Sequence, residues 1–311
     1  MTLNSECNYA IVVPCYNEGM TIIKFLTELE GVLDGISKSF RIVVVDDYSI
    51  DNTRDLLNNF CHKEHNLQVS VLALPYNSGH QKSIQQGLLY CYDHIHTEYV
   101  IVMDGDGEDD PAAIKELINY EGYDYVPVIR GKRNENWVFK SLYKIYKILF
   151  ALLIGKEMNF GNYCVICKNM LQNICDSNFV HLAGFLSKQK CKKKSIVWDR
   201  RKRIDGKSKM NLTNLLWYGF HSFVEYAEEF LLFFLRVFGT ILIFFFALIT
   251  NVLYKKLISH EAIPGWASTL TVSLMMGALL CFGFLAIGVI LISLSAKNTQ
   301  SGIKPIYKVM K

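Results

Sequence analysis

The sequence predicts an α/β domain built on a mainly parallel sheet with helices on both faces, followed by an amphipathic helix and two membrane-spanning helices. Three observations predict it. Short apolar runs alternate with amphipathic segments through the first half of the chain, a polar cluster follows three of those runs directly, and two stretches, Val237 to Tyr254 and Ala262 to Ala296, contain no Asp, Glu, Lys or Arg.

The run Tyr9 to Val13 leads into Thr21 to Leu33, Arg41 to Val45 into Thr53 to Phe60, and Val69 to Leu74 into Gln81 to Tyr92, and Tyr99 to Met103 closes a βαβαβαβ alternation. Unbroken apolar runs such as Ile42 to Val45, with helical segments between them, are the pattern of parallel strands buried on both faces. Right-handed crossovers put the strand ends on one rim, and that rim binds ligand in an open α/β sheet. The clusters Pro14 to Glu18, Asp46 to Thr53 and Asp104 to Asp110 all fall there. Tyr163 to Cys167 reads as a further buried strand: Cys164 and Cys167 have no second Cys or His pair nearby, which disfavours zinc.

Composition narrows the classes. With 51% apolar residues and a mean hydropathy of +0.18, the chain is neither a disordered tail nor a collagen-like rod. A formal charge of +4, with no interleaved aromatic and basic repeat, gives no footprint for nucleic acid. Nine cysteines without a small secreted framework read as reduced thiols facing the cytosol. The first apolar run, Ala10 to Val13, is too short for the core of a signal peptide, so the N-terminal region is expected to stay cytosolic.

The first domain is expected over 1–210 and ends in a basic stretch, Lys188 to Lys209, with clusters at Lys192 to Lys194 and Arg200 to Arg203. In 211–229, Leu215, Leu216, Phe220, Phe223, Tyr226 and Ala227 recur at helical spacing, which suits an interfacial helix. A span needs about 20 residues to cross the hydrocarbon layer, and 230–254 and 266–294 both reach that length. Arg236 lies near one end of the first; Gly277, Gly283 and Gly288 in the second permit close helix packing. Two spans return the chain to its starting side, leaving the basic tail 295–311 beside the first domain. Lysine and arginine counts on the flanking segments place that side in the cytosol, against the opposing vote of Lys255 and Lys256 in the short loop.

The chemistry gathers at the strand ends. Asp104-Gly105-Asp106 sets two carboxylates, one residue apart, at the mouth of the sheet. Such oxygen ligands suit Mg²⁺ or Mn²⁺ and, through it, a nucleotide diphosphate. Asp46 and Asp47 can accept hydrogen bonds from a base or ribose. Asn77-Ser78-Gly79-His80-Gln81 opens a helix whose backbone N–H groups can approach a diphosphate. Gly131-Lys132-Arg133, Arg200 and Arg203 supply cations for phosphate.

Val12-Val-Pro-Cys-Tyr-Asn-Glu18, Val44-Val-Asp-Asp-Tyr-Ser-Ile-Asp-Asn-Thr53, Asn77 to Gly87 and Asp104-Gly-Asp106 together resemble the inverting family 2 glycosyltransferases, and more narrowly the polyprenyl-phosphate group that includes dolichol-phosphate mannose synthase and the two-span bacterial enzymes acting on undecaprenyl phosphate. Arg200-x-x-Arg203-x-x-Gly206-x-Ser208-Lys209 and Ile263-Pro-Gly-Trp-Ala-Ser268 carry the likeness onward. The resemblance implies a GT-A fold, with Pro14, Asn17, Glu18 and Asp46 around the nucleotide, Asp104 and Asp106 at the metal, and Arg133, Arg200, Ser208 and Lys209 near the phosphates. With the residue-level reading, the nucleotide-sugar set is Pro14, Asn17, Glu18, Asp46, Asp47, Asn77, Gly79, His80, Gln81 and Asp104, and the catalytic set is Asp104, Asp106, Arg133, Arg200 and Arg203. Four positions depart from the family pattern: the chain adds acid at Glu108 and Asp110, has Asn162 where Asp is frequent, and has Met210 where an aromatic residue is common.

A lipid phosphate is already an anion, so it needs no general base to attack an anomeric carbon. The expected partners are a UDP- or GDP-sugar, undecaprenyl or dolichyl phosphate, the bilayer, and a second copy of the chain. Rival classes are a non-catalytic scaffold or flippase partner and a transferase using another lipid acceptor. A processive synthase lacks support, with no Gln-x-x-Arg-Trp and too few spans; a dehydrogenase lacks its Gly-x-Gly-x-x-Gly after the first strand.

Overall fold

The computed structural model describes residues 6–61, 68–131, 160–177, 179–204, 226–259, 265–299 and 302–310. They fall into two units, one holding the described residues up to 204 and the tail from Thr299, the other the two long helices up to Asn298.

In the first unit, β1 (Cys7–Cys15), α1 (Gly19–Leu33), β2 (Phe40–Asp46), α2 (Thr53–Cys61), β3 (Gln68–Ala73), α3 (His80–His94) and β4 (Thr97–Val102) follow the predicted alternation, with ends moved by up to two residues. After 3₁₀ turns flanking α4 (Ile114–Leu117) come β5 (Tyr125–Arg130), β6 (Phe160–Cys167), α5 (Lys168–Asp176), α6 (Leu182–Lys188) and β7 (Ile196–Trp198), and near the C-terminus β8 (Lys308–Val309). The sheet order is β7-β5-β6-β4-β1-β2-β3-β8. Strands β4, β1, β2 and β3 are parallel neighbours, whereas β6 runs antiparallel between β4 and β5. The sheet is therefore mainly parallel, as the alternation requires.

Alternation along the strands sends side chains to two cores. Tyr9, Ile11 and Val13 of β1 join Ile42 and Val44 of β2 beneath α1, where Ile22, Phe25, Leu26 and Leu29 repeat at three- and four-residue spacing. Ala10, Val12, Val43 and Val45 face α3 through Ile84 and Leu88. Cys164 lies buried in that second core, as a strand position should, and burial pushes its thiol pKa up.

Gly87 lets α3 sit directly on the sheet. A Cβ there would lie 2.4 Å from Val12 Cγ1 and 3.0 Å from Val45 Cγ2. Gly87→Ala is expected to destabilise the domain by about 1–3 kcal/mol through overpacking, read as a lowered denaturation midpoint. Gly31→Ala in α1, where nothing lies within 4 Å of the added atom, is the control and should stabilise by roughly 0.5–1 kcal/mol.

The second unit is an antiparallel helix pair. Within α7 (Ala227–Leu257) and α8 (Gly265–Thr299), the stretches Leu231–Lys255 and Thr269–Gly288 are long and apolar enough to cross a membrane, with mean hydropathies of 2.5 and 2.3. Phe234 meets Phe284 and Phe238 meets Phe282, with centroids 6.1 and 6.3 Å apart. The close approach comes at Gly288, where a Cβ would lie 2.9 Å from Leu231 Cδ1; Gly277 and Gly283 meet nothing within 4 Å among the described residues. Among the described residues, Gly288 is thus the one of the three expected packing glycines that meets the partner helix. Large apolar side chains such as Ile243, Phe244, Phe246, Leu280 and Leu291 are exposed along both helices. An apolar surface of that extent is unstable against water and calls for lipid or another chain. The predicted interfacial helix, 211–229, lies mostly outside the described residues.

Candidate functional site

The sheet reverses its build direction at β1: β2 and β3 extend it on one side, β4 on the other. The crevice beyond the carboxyl ends of β1 and β4 is the topological switch point. Pro14 ends up buried near the end of β1, and Asp104 and Asp106 follow β4 on the same rim.

The loops after β1 and β2 are bonded to each other. Asn17 adopts the left-handed region, φ 52°, which its short amide side chain tolerates. Its backbone N–H donates to Ser49 Oγ at 2.8 Å, and its Oδ1 accepts from Ile50 N at 2.8 Å. Gly19 N donates to Thr53 Oγ1 at 2.7 Å. Glu18 stands at the N-cap of α1. Tyr48, also left-handed at φ 62°, has the Arg54 guanidinium 5.2 Å from its ring centroid.

Asp46 and Asp47 work inside this framework. The fully buried Asp46 carboxylate pairs with Arg54 and accepts from Ser49 N, while Arg54 also donates to Leu74 O at 3.0 Å. Asp47 accepts from Ser78 N at 2.7 Å and Gly79 N at 2.9 Å. Burial raises the Asp47 pKa, against the lowering effect of those amides. Both carboxylates thus accept from protein donors, and the Ser78 and Gly79 amides donate to Asp47. Gly79 is needed for its φ of 87° at the start of α3. Asn77 before it is exposed.

The acidic cluster follows β4. Asp104 Oδ1 lies 3.2 Å from His80 Nε2, and Asp104 Oδ2 lies 3.4 Å from Arg200 Nη2. Arg200 also reaches Glu108 Oε2 at 2.6 Å and Asp109 Oδ1 at 3.6 Å. Arg203 pairs with Asp106 Oδ2 at 2.9 Å and Glu108 Oε1 at 3.2 Å. Main-chain bonds from Arg201 N to Glu108 O, 3.0 Å, and from Ile204 N to Asp106 O, 3.3 Å, hold the arginine segment on the acidic loop. Arg201 itself pairs with Glu28.

Electrostatics explains the arrangement. Burial raises the Asp106 pKa, and the neighbouring Asp104 carboxylate raises it further. For Arg200, burial opposes the charge, but Asp109, Asp104 and Glu108 outweigh it and its pKa rises. At His80 desolvation likewise opposes protonation, and Asp104 overcomes it, so that pKa is raised as well. The added acids find roles: Glu108 is a counter-ion shared by both arginines, and Asp110 accepts from Ala112 N at 3.0 Å and Trp198 Nε1 at 3.1 Å.

Asn162 is buried behind His80. Its Nδ2 lies 3.1 Å from His80 Nε2, and its Oδ1 accepts from Gln81 Nε2 at 3.2 Å; Gln81 Oε1 in turn accepts from Leu182 N at 2.8 Å. Thus Asn162 supports the first turn of α3 instead of facing the cleft. Arg133, Ser208 and Lys209 lie outside the described residues. Sequence reasoning missed Asp109, whose Oδ2 accepts from Asp104 N at 2.9 Å; its neighbour Asp106 was the signal that pointed to this loop.

The donor set suits a hard divalent cation. Asp104 and Asp106 offer oxygen ligands only, and among the described residues no three His, Cys, Asp or Glu side chains form a complete cage. One or two carboxylates, with the remaining positions left to phosphate oxygens and water, is the usual protein share for Mg²⁺.

Residues 10–185 match the family model described as Glycosyl transferase family 2. The chain belongs to that family. It is 26% identical over 325 residues to the uncharacterized glycosyltransferase YkcC of Bacillus subtilis (strain 168), covering 99% of this chain and 95% of the relative. It is 28% identical over 297 residues to the uncharacterized glycosyltransferase YkoT of the same organism, covering 89% and 85%. Among solved structures, the glucosyl-3-phosphoglycerate synthase of Mycobacterium tuberculosis with Mn²⁺, UDP and glucosyl-3-phosphoglycerate superposes with a TM-score of 0.53 at 14% identity, covering 72% of this chain and 80% of that one. That likeness is one of fold. The family 2 membership makes this chain a glycosyltransferase and excludes the dehydrogenase reading.

Proposed function

We propose that this family 2 glycosyltransferase transfers a sugar, with inversion, from a UDP- or GDP-sugar to polyprenyl phosphate at a membrane, with its catalytic domain in the cytosol. The observation that carries the reading is the adjacent pair Asp104 and Asp106 at the switch point, in a chain that also carries two helices long and apolar enough to span a bilayer. Support for the donor comes from the Mycobacterium tuberculosis neighbour, solved with UDP and Mn²⁺. A polyprenyl chain stays in the bilayer with its phosphate at the headgroup layer, so an enzyme acting on it has to work there.

In the proposed step a phosphate oxygen attacks the anomeric carbon, the bond from that carbon to the nucleotide diphosphate breaks, and the electron pair leaves on the diphosphate. Asp104 and Asp106 would hold a divalent cation, which when bound would supply Lewis-acid neutralisation of that leaving group. Arg200 and Arg203 contribute fixed positive charge beside the same carboxylates, aimed where negative charge develops. By the resemblance, Arg133, Arg200, Ser208 and Lys209 take the acceptor phosphate. Asn162 lies against both His80 and Gln81 in the first turn of α3, where His80 Nε2 is 3.2 Å from Asp104 Oδ1. No side chain has to remove a proton from an acceptor that is already ionised.

The test supplies membranes containing the protein with polyprenyl phosphate and a panel of radiolabelled UDP- and GDP-sugars, with Mg²⁺, with Mn²⁺, or with a chelator. One donor is expected to give an organic-extractable, acid-labile labelled lipid, and chelation should abolish it. Label appearing only in a lipid without phosphate would replace the acceptor; no transfer from any donor would leave the scaffold reading.

A further inference from the structure

The tail 302–310 is bound to the catalytic unit in a way that the reaction chemistry does not account for. Gln86, fully buried in α3, bonds the tail main chain with both ends of its amide: Nε2 donates to Lys304 O at 2.9 Å, and Oε1 accepts from Ile306 N at 2.8 Å. One helical turn on, the Tyr90 ring meets Tyr307 edge-on at 5.6 Å, and one turn further His94 stacks on Tyr90 at 4.7 Å. Positions four apart share one helix face, so Gln86, Tyr90 and His94 form a stripe against which the tail lies.

The tail is anchored at both ends. Ile303 N donates to Cys175 O on α5 at 3.1 Å, next to Gly302 with its φ of 62°. At the other end β8 pairs antiparallel with β3, and Met310 N donates to Val71 O at 2.9 Å. Two anchors fix the strap along the helix as well as across it. The far side of α3, through Ile84 and Leu88, packs into the core with Val12 and Val45 of the sheet. The helix is therefore held between sheet and tail, and its first turn carries His80 against Asp104.

We propose that 302–310 is a positioning strap for the sugar-donor site, seated on the Gln86–Tyr90–His94 stripe and setting where α3 presents His80 to Asp104. Gln86 is its positioning residue. The inference rests on the reading of the Asp104 rim as the donor site. A helix slip of one residue moves its end by about 1.5 Å, and a misplacement of about 1 Å at reacting groups costs on the order of 10²-fold in rate.

The test uses the full-length chain in lipid nanodiscs. Gln86→Leu removes both amide bonds. It is expected to speed hydrogen exchange in 303–310 and in the first turn of α3, and to lower kcat about tenfold or more with the lipid-acceptor KM within twofold. A disulfide from Ala73→Cys and Lys308→Cys, which are cross-strand partners of β3 and β8, is then formed in the Gln86→Leu background and confirmed by mass spectrometry. Pinning the strap is expected to restore α3 protection and most of the rate. Faster exchange confined to the tail, with α3 unchanged, overturns the proposal. So does an oxidised pair that restores tail protection but not that of the α3 first turn. If the unaltered chain transfers no sugar, the donor-site reading fails by itself, and the exchange experiment still decides whether the tail sets α3.

Discussion

Asp104→Ala and Asp106→Ala are each expected to lower the rate of sugar transfer by about 10³-fold, a loss of about 4 kcal/mol of transition-state stabilisation, while leaving Tm equal to or above that of the unaltered protein. The two halves of this result have one cause. Asp104, Asp106, Glu108 and Asp109 crowd one short loop and face the cations Arg200 and Arg203, with His80 at the edge. Removing one carboxylate relieves repulsion that already holds the Asp106 pKa up behind the larger effect of burial. Stability therefore has little to lose, whereas the donor loses a ligand at its leaving group. The measurement is an initial rate with saturating donor at several Mn²⁺ concentrations, paired with thermal unfolding of the same preparation. A steep fall in Tm would assign these residues to the framework instead, and a rate within threefold of normal would remove them from the chemistry.

The sheet and its acidic rim were legible because local signals carry them. Each parallel strand is a contiguous apolar run, and Asp104, Asp106, Asp46 and Asp47 follow such runs directly. What was not legible depends on partners distant in sequence. Nothing near Asp47 shows that the Ser78 and Gly79 amides take up its carboxylate, and Asp46 turns inward because Arg54 comes round on α2. Nothing near Arg200 shows that Glu108, Asp104 and Asp109, more than 90 positions earlier in the chain, surround it. Antiparallel β6 interrupts a parallel order that the βαβ pattern extends no further than β4. The tail's apolar residues, Ile303, Ile306, Tyr307, Val309 and Met310, do not show the alternation of a strand along its length, and Gln86, whose side chain bonds the tail backbone, sits inside a polar string with no outward sign of that role.

That placement of Arg200 changes what its removal does. Arg200→Ala is expected to destabilise the domain by about 3 kcal/mol or more, because deleting one partner of a buried ion pair leaves the others uncompensated; on a domain of this size that is on the order of 10 °C in Tm. The Arg200 side chain is 13% exposed and lies against three carboxylates, so water cannot take over its role at once. Arg203, at 23% exposure and with two carboxylate partners, should cost less when replaced by Ala. Arg200→Lys keeps a charge but cannot span three acids from one planar fork, so only part of the loss should be recovered. A cation serving the lipid phosphate alone behaves differently, since its removal raises the acceptor KM and leaves Tm where it was. Adding Glu108→Gln to Arg200→Ala separates the two. If the arginine neutralises the loop, the double variant regains stability relative to Arg200→Ala, with a coupling of about 1 kcal/mol or more; if it serves only the acceptor, the two changes add. Transfer should stay impaired in the double variant even where stability returns, because the charge that opposed the departing diphosphate is still missing.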